Sequence, residues 1–210
     1  MTALAWALLL CGLWLWGRDV ADVPRPVSGP TTGDMAAVGR PFTAALPAAH
    51  EPLAGRPAPR RVLVPALGVD APVAARGLDA SGAVEPPPFD RPSQVGWYGA
   101  GTAPGAAGPA ILVGHVDTAS RPAVFHDLSA AEPGHEIRVE RADGTVAEFT
   151  VDDVAVVERD GFDAHAVYGP HRAGRAELRL ITCGGTYDRA AGTYSANVVV
   201  SAYLTGTHRS

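Results

Sequence analysis

The strongest structural signal in the sequence is the stretch LRLITCGG, residues 178–185. Its apolar run is typical of a buried β-strand, and two glycines mark the strand's end. Strand alternation directs Leu178, Leu180 and Thr182 to one face and Cys183 to the other. The glycines let the backbone turn and let a second chain approach closely. We therefore expect Cys183 at a strand end, beside a turn.

Short β-strand signals recur between residues 60 and 204 and are punctuated by glycine and proline. The predicted strands are RVLVP (61–65), VDAPV (69–73), PAILVGH (109–115), 136–140, 145–157, 176–182 and 197–204. Asp143-Gly144 predicts a hairpin turn, and a slip in apolar phase predicts a bulge near Asp152-Asp153. Residues 123–128 suit one or two helical turns. The pattern indicates a mainly β fold, either a closed barrel or a sandwich.

Composition narrows the class of protein. A chain of 210 residues suits one domain with attachments, and its net charge of −5 without a basic run argues against a nucleic-acid partner. Every basic residue other than histidine is arginine, so no lysine is available for Schiff-base chemistry.

Three segments divide the chain. Residues 1–17 are apolar with interface tryptophans and are predicted to be a membrane anchor or signal. Residues 18–59 are rich in proline, glycine and alanine and are predicted to form a disordered linker. Residues 60–206 form the predicted catalytic domain.

Cys183 is the only cysteine outside the apolar N-terminal segment. If that segment crosses a membrane, Cys183 faces an oxidising compartment without a disulfide partner in its own domain. An intermolecular bridge or a reactive thiol then competes with a buried, inert cysteine.

His115 ends a predicted core strand just as Cys183 does, 68 residues later in the chain. A lone histidine in this position is usually structural. Histidine and cysteine at the ends of two core strands of one small domain instead suit Cys/His nucleophilic catalysis, in which an imidazolium stabilises the thiolate.

Two motifs together resemble the sortase family: GHVDT (114–118), followed by LITCGG (180–185) and the strand 194–202. The likeness covers nearly all of residues 60–204, includes VPALGV (64–69) and VGWY (95–98), and is greatest to the class F sortases of high-GC actinobacteria. It implies an eight-stranded closed sortase-type β-barrel with short helices. It also implies an extracellular catalytic domain, held at the cell membrane by a single-pass N-terminal anchor.

The resemblance also implies a reaction. Sortases cleave a Leu-Pro-X-Thr-Gly-like sorting signal of surface proteins between Thr and Gly, and hold the acyl part as a thioester. They then transfer it to an amine on a cell-wall precursor or a pilin. Cys183 would be the nucleophile, His115 the general acid and base, and an arginine would stabilise the oxyanion. No cofactor or metal is implied.

The arginine is where the sequence departs from the family pattern. The last-strand segment YSANV (194–198) contains none, and Asn197 stands about where it would be. Arg189, in a connecting loop of about ten residues, can fold back over the strand end and is the leading candidate. Arg91 and Arg121 are weaker candidates.

Other polar residues have plainer alternatives. Asp117 could orient His115 or cap a turn, Asn197 could donate a hydrogen bond or cap the strand, and the backbone near Thr182 could serve the oxyanion. The carboxylates of residues 152, 153 and 158 could bind calcium, although a solvated edge is favoured. His126 and His135 face solvent rather than forming a metal site with His115.

Two alternatives to an active sortase stay open. One is a catalytically silent sortase-like barrel that serves as a surface-binding module, and the missing arginine favours it. The other is a different Cys/His transpeptidase acting on peptidoglycan. Those of the L,D-transpeptidase fold carry a Ser-His-Gly-Cys cluster, which the Thr182-Cys183 segment lacks.

Overall fold

The computed structural model describes residues 45–80, 82–160, 163–189 and 192–209. These residues belong to one compact unit that begins at Ala45. Eight strands form most of it: β1 (Pro59–Val64), β2 (Val69–Arg76), β3 (Val95–Tyr98), β4 (Gly108–Val113), β5 (Glu136–Arg141), β6 (Thr145–Glu158), β7 (Ala176–Asp188) and β8 (Thr193–Arg209). The helical elements in the described residues are one α-helix, α1 (Ala164–Tyr168), and the 3₁₀ turns Pro65–Leu67 and Leu128–Ala130.

The strands close into a barrel in the order β1-β2-β3-β4-β7-β8-β6-β5. Pairing of β1 with β5 completes the ring, so a sandwich is excluded. All pairs are antiparallel except β2–β3 and β4–β7. The mainly β, eight-stranded closed barrel is therefore confirmed.

Side-chain alternation produces two apolar clusters. The barrel interior is filled by residues such as Leu112, Phe149, Leu180 and Leu204. A smaller cluster on the outer face of β4, β7 and β8 contains Ile111, Val113, Val167, Ile181 and Val199. The outer cluster lies on the side of the sheet to which the sequence assigns Cys183.

Local predictions about β6 and the helices had mixed outcomes. The expected bulge is confirmed by a register shift between Val151 and Asp153. The helix expected at residues 123–128 is wrong, because that segment forms turns before the 3₁₀ turn Leu128–Ala130. Helix α1 was not predicted; its N-cap Asp163 accepts hydrogen bonds from the backbone N–H groups of His165 and Ala166.

Residues 45–58 pack on the barrel, although the sequence analysis placed them in a disordered linker. The backbone N–H of His50 donates to Leu204 O at 2.8 Å, and that of Leu53 donates to Gly105 O at 2.7 Å. The buried Arg141 guanidinium donates to Ala54 O at 3.0 Å. The compact unit therefore begins at Ala45 rather than at residue 60. Periodicity missed this segment because backbone groups make most of its contacts.

The predicted membrane anchor, residues 1–17, and residues 18–44 of the predicted linker lie outside the described residues. Within the described part of the chain, no helix has the length and apolar character needed to cross a bilayer.

Candidate active site

The parallel pairing of β4 with β7 brings the end of β4, two residues before His115, beside the part of β7 that carries Cys183. Val113 pairs with Ile181, and the ladder continues one step further because Gly114 N–H donates to Ile181 O at 3.1 Å. His115 and Cys183 therefore each lie two residues beyond the last pair of this ladder, His115 after the end of β4 and Cys183 within β7. Since Ile181 belongs to the outer cluster, alternation along β7 puts Cys183 on that outer face.

Two glycines flank the site, one after β4 and one within β7, which continues past Cys183 to Asp188 instead of ending there as expected. A Cβ at Gly114 would lie 2.6 Å from a ring carbon of Phe125, so only glycine fits beneath that ring. Gly185 has a φ of +75°, and a Cβ there would lie 2.4 Å from Ser195 Oγ. Close packing therefore favours glycine at position 114, and the positive φ favours it at position 185.

Residues of the β2–β3 connection contact the ring of His115. Its Nε2 lies 2.6 Å from the carbonyl oxygen of Pro87, and its ring stacks on Phe89 with centroids 4.3 Å apart. A carbonyl oxygen only accepts, so Nε2 carries the proton and Nδ1 is the basic nitrogen of the neutral ring. The histidine is 8% exposed, whereas Phe89 is 69% exposed and covers it from the solvent side.

Cys183 is a half-buried free thiol. Burial is the largest influence and raises the pKa of the thiol above its ordinary value. The positive charge of Arg159 opposes this shift, and the negative charge of Asp117 adds to it. Cys183 is therefore a protonated thiol at neutral pH and needs a base to become a nucleophile.

Asp117 contacts a tyrosine rather than His115. The Tyr194 hydroxyl donates a hydrogen bond to Asp117 Oδ2, and this bond, with burial and the carboxylate charge, raises the pKa of Tyr194 to about 12. In the described structure no hydrogen bond joins Asp117 to His115. The expectation that Asp117 orients His115 is thus not met, because Tyr194 occupies the carboxylate.

Thr182 and Asn197 lie on opposite sides of the sheet. Thr182 follows Leu180 toward the barrel interior and is 4% exposed, with no hydrogen-bond partner for its hydroxyl among the described atoms. Asn197 pairs directly with Cys183 across the β7–β8 ladder and is half-buried. Of the two side chains, only that of Asn197 is level with the thiol and on its face; its predicted role stays a prediction.

The connection that carries Arg189 is a hairpin and not a loop that folds back. Strand β7 continues to Asp188, and Tyr187 and Asp188 pair with Tyr194 and Thr193. Arg189 is an exposed residue of the hairpin turn, and each extended residue carries it about 3.3 Å further from Cys183. The connecting loop that the sequence analysis expected is a β-hairpin, and the role predicted for Arg189 stays a prediction. The other candidates, Arg91 and Arg121, line a shallow surface pocket with Gln94.

Arg159 is the residue that the sequence analysis missed. It follows β6, its backbone N–H donates to Ser195 O at 2.9 Å, and its guanidinium donates to the hydroxyl of Thr193. It is also the cation whose charge lowers the pKa of the Cys183 thiol. Its place could not be read from the sequence, because the bulges in β6 hide the β6–β8 register.

A buried ionic network supports the wall behind the site. Arg179 on β7 is fully buried, donates to Glu177 Oε2 at 2.7 Å and reaches Gly169 O at 3.0 Å. Glu177 also accepts from the N–H groups of His171 and Arg172, each at 2.9 Å. Burial works against the charged form of Glu177, but these hydrogen bonds and Arg179 hold its pKa below the ordinary value. The β6–β7 connection is thereby fastened to the outer face of β7.

Within the described residues, no group of three or more His, Cys, Asp or Glu side chains is arranged to hold a metal. Asp152, considered above for calcium, forms an ion pair with Arg175 at 2.9 Å. This pairing with a guanidinium competes with metal binding at that carboxylate.

The comparison with protein families gives one match. A family model described as the sortase domain matches residues 62–205, which is more than half of the chain. No protein of curated function gives a significant sequence match.

Solved structures give the same fold. The SrtA sortase from Actinomyces oris superposes with a TM-score of 0.56 and 21% identity, covering 80% of this chain and 89% of that one. Sortase C-1 from Actinomyces oris gives 0.52 and 21%, covering 70% and 73%. Sortase A from Listeria monocytogenes gives 0.53 and 15%, covering 74% and 92%. These identities are low, so the structures support the fold alone.

Proposed function

Because the chain belongs to the sortase family of cysteine transpeptidases, we propose that it cleaves a Leu-Pro-X-Thr-Gly-like sorting signal between Thr and Gly. The acyl part is held on Cys183 as a thioester and passed to an amine. The product is a surface protein covalently attached to the cell envelope.

The observation that supports this proposal is the β4–β7 register: Val113 pairs with Ile181, and His115 and Cys183 each lie two residues further along their segments. A binding module needs neither residue. The protonated thiol and the histidine with a basic Nδ1 are complementary partners for proton transfer.

The proposed reaction has two stages, acylation of Cys183 and transfer of the acyl group to an amine. His115 takes the thiol proton as Cys183 Sγ forms a bond to the Thr carbonyl carbon, which gives a tetrahedral oxyanion. The C–N bond then breaks, and the Gly amine leaves with the proton from His115. An acceptor amine next attacks the thioester, gives a proton to His115 and releases Cys183 as the leaving group.

The apolar outer cluster supports binding of the signal's apolar residues. Ile181 precedes Cys183 on the same face, and Val199 and Val167 pack beside it. Tyr98 packs against this cluster at its edge, whereas Trp97 belongs to the interior. An extended peptide laid along β7 would place apolar side chains on this cluster and its scissile bond at Cys183.

The sortase class, the membrane anchor and the amine acceptor are proposed from the sequence resemblance. We propose that the protein is a class F sortase, anchored through residues 1–17 in the cell membrane with its catalytic domain outside. A cell-wall precursor is the preferred amine acceptor, and a pilin is the alternative.

The test is a ligation assay with the purified chain, a Leu-Pro-X-Thr-Gly peptide and an added amine. We expect a ligated product that retains the peptide up to Thr, and none from Cys183→Ala. The absence of product across a panel of sorting peptides and amines would contradict the proposal. That result would favour the silent surface-binding module, to which the exposed position of Arg189 also points.

A further inference from the structure

Some arginines near the site form ion pairs with carboxylates and others do not. Arg175 and Arg179 are committed to the carboxylates of Glu177 and Asp152 in the wall of the site. Arg189 lies at the hairpin turn, and residues 194–198 of β8 contain no arginine. Arg159, which follows β6, is the arginine whose positive charge acts on the Cys183 thiol.

Strand register puts Arg159 on the thiol's side of the sheet. Val157 of β6 and Cys183 of β7 both pair with Asn197 of β8, so the three form a row across adjacent strands. Strands lie about 4.8 Å apart, so roughly 10 Å separates the Cα positions at the ends of that row. Arg159 lies two residues beyond Val157, and its N–H bond to Ser195 O continues the ladder, so it returns to the same face.

The guanidinium of Arg159 is free to move toward the thiol. Its side-chain partner is the neutral hydroxyl of Thr193, and within the described residues no carboxylate forms an ion pair with it. A single hydrogen bond to a hydroxyl contributes only about 1 kcal/mol net. Arg159 can therefore leave the Thr193 hydroxyl for an anion at little cost in free energy. Arg159 is exposed, so its side chain can change rotamer without disturbing the core.

We propose that Arg159, entering from β6, supplies the guanidinium that stabilises the Cys183 thiolate and then the oxyanion of the tetrahedral intermediate. Two or more N–H donors can point at one oxygen, an arrangement suited to charge that appears only in the transition state. The oxyanion role rests on the proposed function, whereas the effect on the thiolate does not. The arginine of this reaction thus arises from a different strand than the resemblance implies.

The test compares Arg159→Ala, Arg159→Lys, Arg189→Ala and the matched control Arg60→Ala, which removes an exposed arginine of β1. Two quantities are measured: kcat for ligation, and the pH midpoint for iodoacetamide alkylation of Cys183, read on its own peptide by mass spectrometry. We expect Arg159→Ala to lower kcat about 10²–10³-fold with little change in KM. Its alkylation midpoint should rise by roughly half a pH unit. Arg159→Lys should restore the midpoint and part of kcat, and Arg60→Ala should match the parent.

Three other outcomes would contradict the proposed role of Arg159 or the proposed function. If Arg159→Ala matches the parent in both measurements, Arg159 does not serve the thiol. If Arg189→Ala loses kcat and Arg159→Ala does not, the hairpin turn supplies the cation. If the parent ligates no peptide, the proposed function fails. An unchanged alkylation midpoint in Arg159→Ala would then overturn the inference separately. Circular dichroism of each variant separates these results from loss of fold.

Discussion

Two opposite charges act on the Cys183 thiol, and they come from opposite flanks of β7. Arg159 approaches from the end of β6 and Asp117 from the segment after β4, and burial outweighs both in setting the thiol pKa. The sequence predicted the positions of Cys183 and His115 because each ends an apolar run. It could not reveal that Tyr194 binds Asp117, since these residues lie 77 positions apart and meet only through the barrel.

Replacing Asp117 should make the thiol easier to ionise. Asp117→Asn removes a negative charge that raises the thiol pKa, so the alkylation midpoint of Cys183 should move to lower pH. The shift is opposite in sign to that expected for Arg159→Ala. The measurement is the rate of alkylation of the Cys183 peptide against pH, which separates it from Cys11.

Tyr194→Phe is the companion variant. It removes the hydrogen bond to Asp117 but leaves the carboxylate charge in place. The alkylation midpoint of Cys183 in Tyr194→Phe should therefore differ less from that of the parent protein than the midpoint in Asp117→Asn does. An upward shift in Asp117→Asn would contradict the electrostatic account of the thiol.

Among the elements, the β7–β8 hairpin departs most from the sequence prediction. Two successive glycines after Cys183 predicted a loop, yet β7 continues through them to Asp188. The positive φ of Gly185 accompanies a register shift between Gly184 and Tyr187, after which pairing with β8 resumes. Glycine pairs of this kind end a strand or bend it, and composition alone cannot distinguish the two.

Gly185→Ala tests this hairpin against Gly174→Ala as a matched control. Both glycines have φ near +75°, but a Cβ at Gly174 meets nothing within 4 Å, whereas one at Gly185 meets Ser195 Oγ. Gly174→Ala should lower the free energy of unfolding by about 1–3 kcal/mol through backbone strain. Gly185→Ala should lower it more, as measured by urea denaturation. An equal or smaller loss for Gly185→Ala would show that Ser195 yields without cost.

The whole molecule is a barrel with two parallel strand pairs, β2–β3 and β4–β7, and the proposed function depends on the β4–β7 pair. Period-2 patterns predicted the strands, but their spatial order depends on long-range pairing that a single sequence does not encode locally. Residues 45–58 escaped prediction for a related reason. Their contacts are largely backbone hydrogen bonds and one tyrosine hydroxyl, that of Tyr203, which donates to Pro47 O at 2.6 Å.

Chains that begin at residue 45 and at residue 59 should therefore differ in stability. The shorter chain loses the acceptor of the buried Arg141 guanidinium and the contact of Leu53 beside Gly105. The lost hydrogen bonds contribute about 1 kcal/mol net each, so together with the lost packing of Leu53 we expect a loss of at least about 2 kcal/mol in the free energy of unfolding. Thermal and urea denaturation measure it. Equal stability would mean that residues 45–58 are a passive linker after all.

The most direct test of the account is the mass of Cys183 after brief reaction with a Leu-Pro-X-Thr-Gly peptide and acid quench. We predict a thioester adduct carrying the peptide up to Thr, located on the Cys183 peptide and released by hydroxylamine. The adduct should accumulate without an added amine and disappear when one is supplied. An unmodified Cys183 across a panel of sorting peptides, in a folded protein, would contradict the assignment of this thiol as the nucleophile.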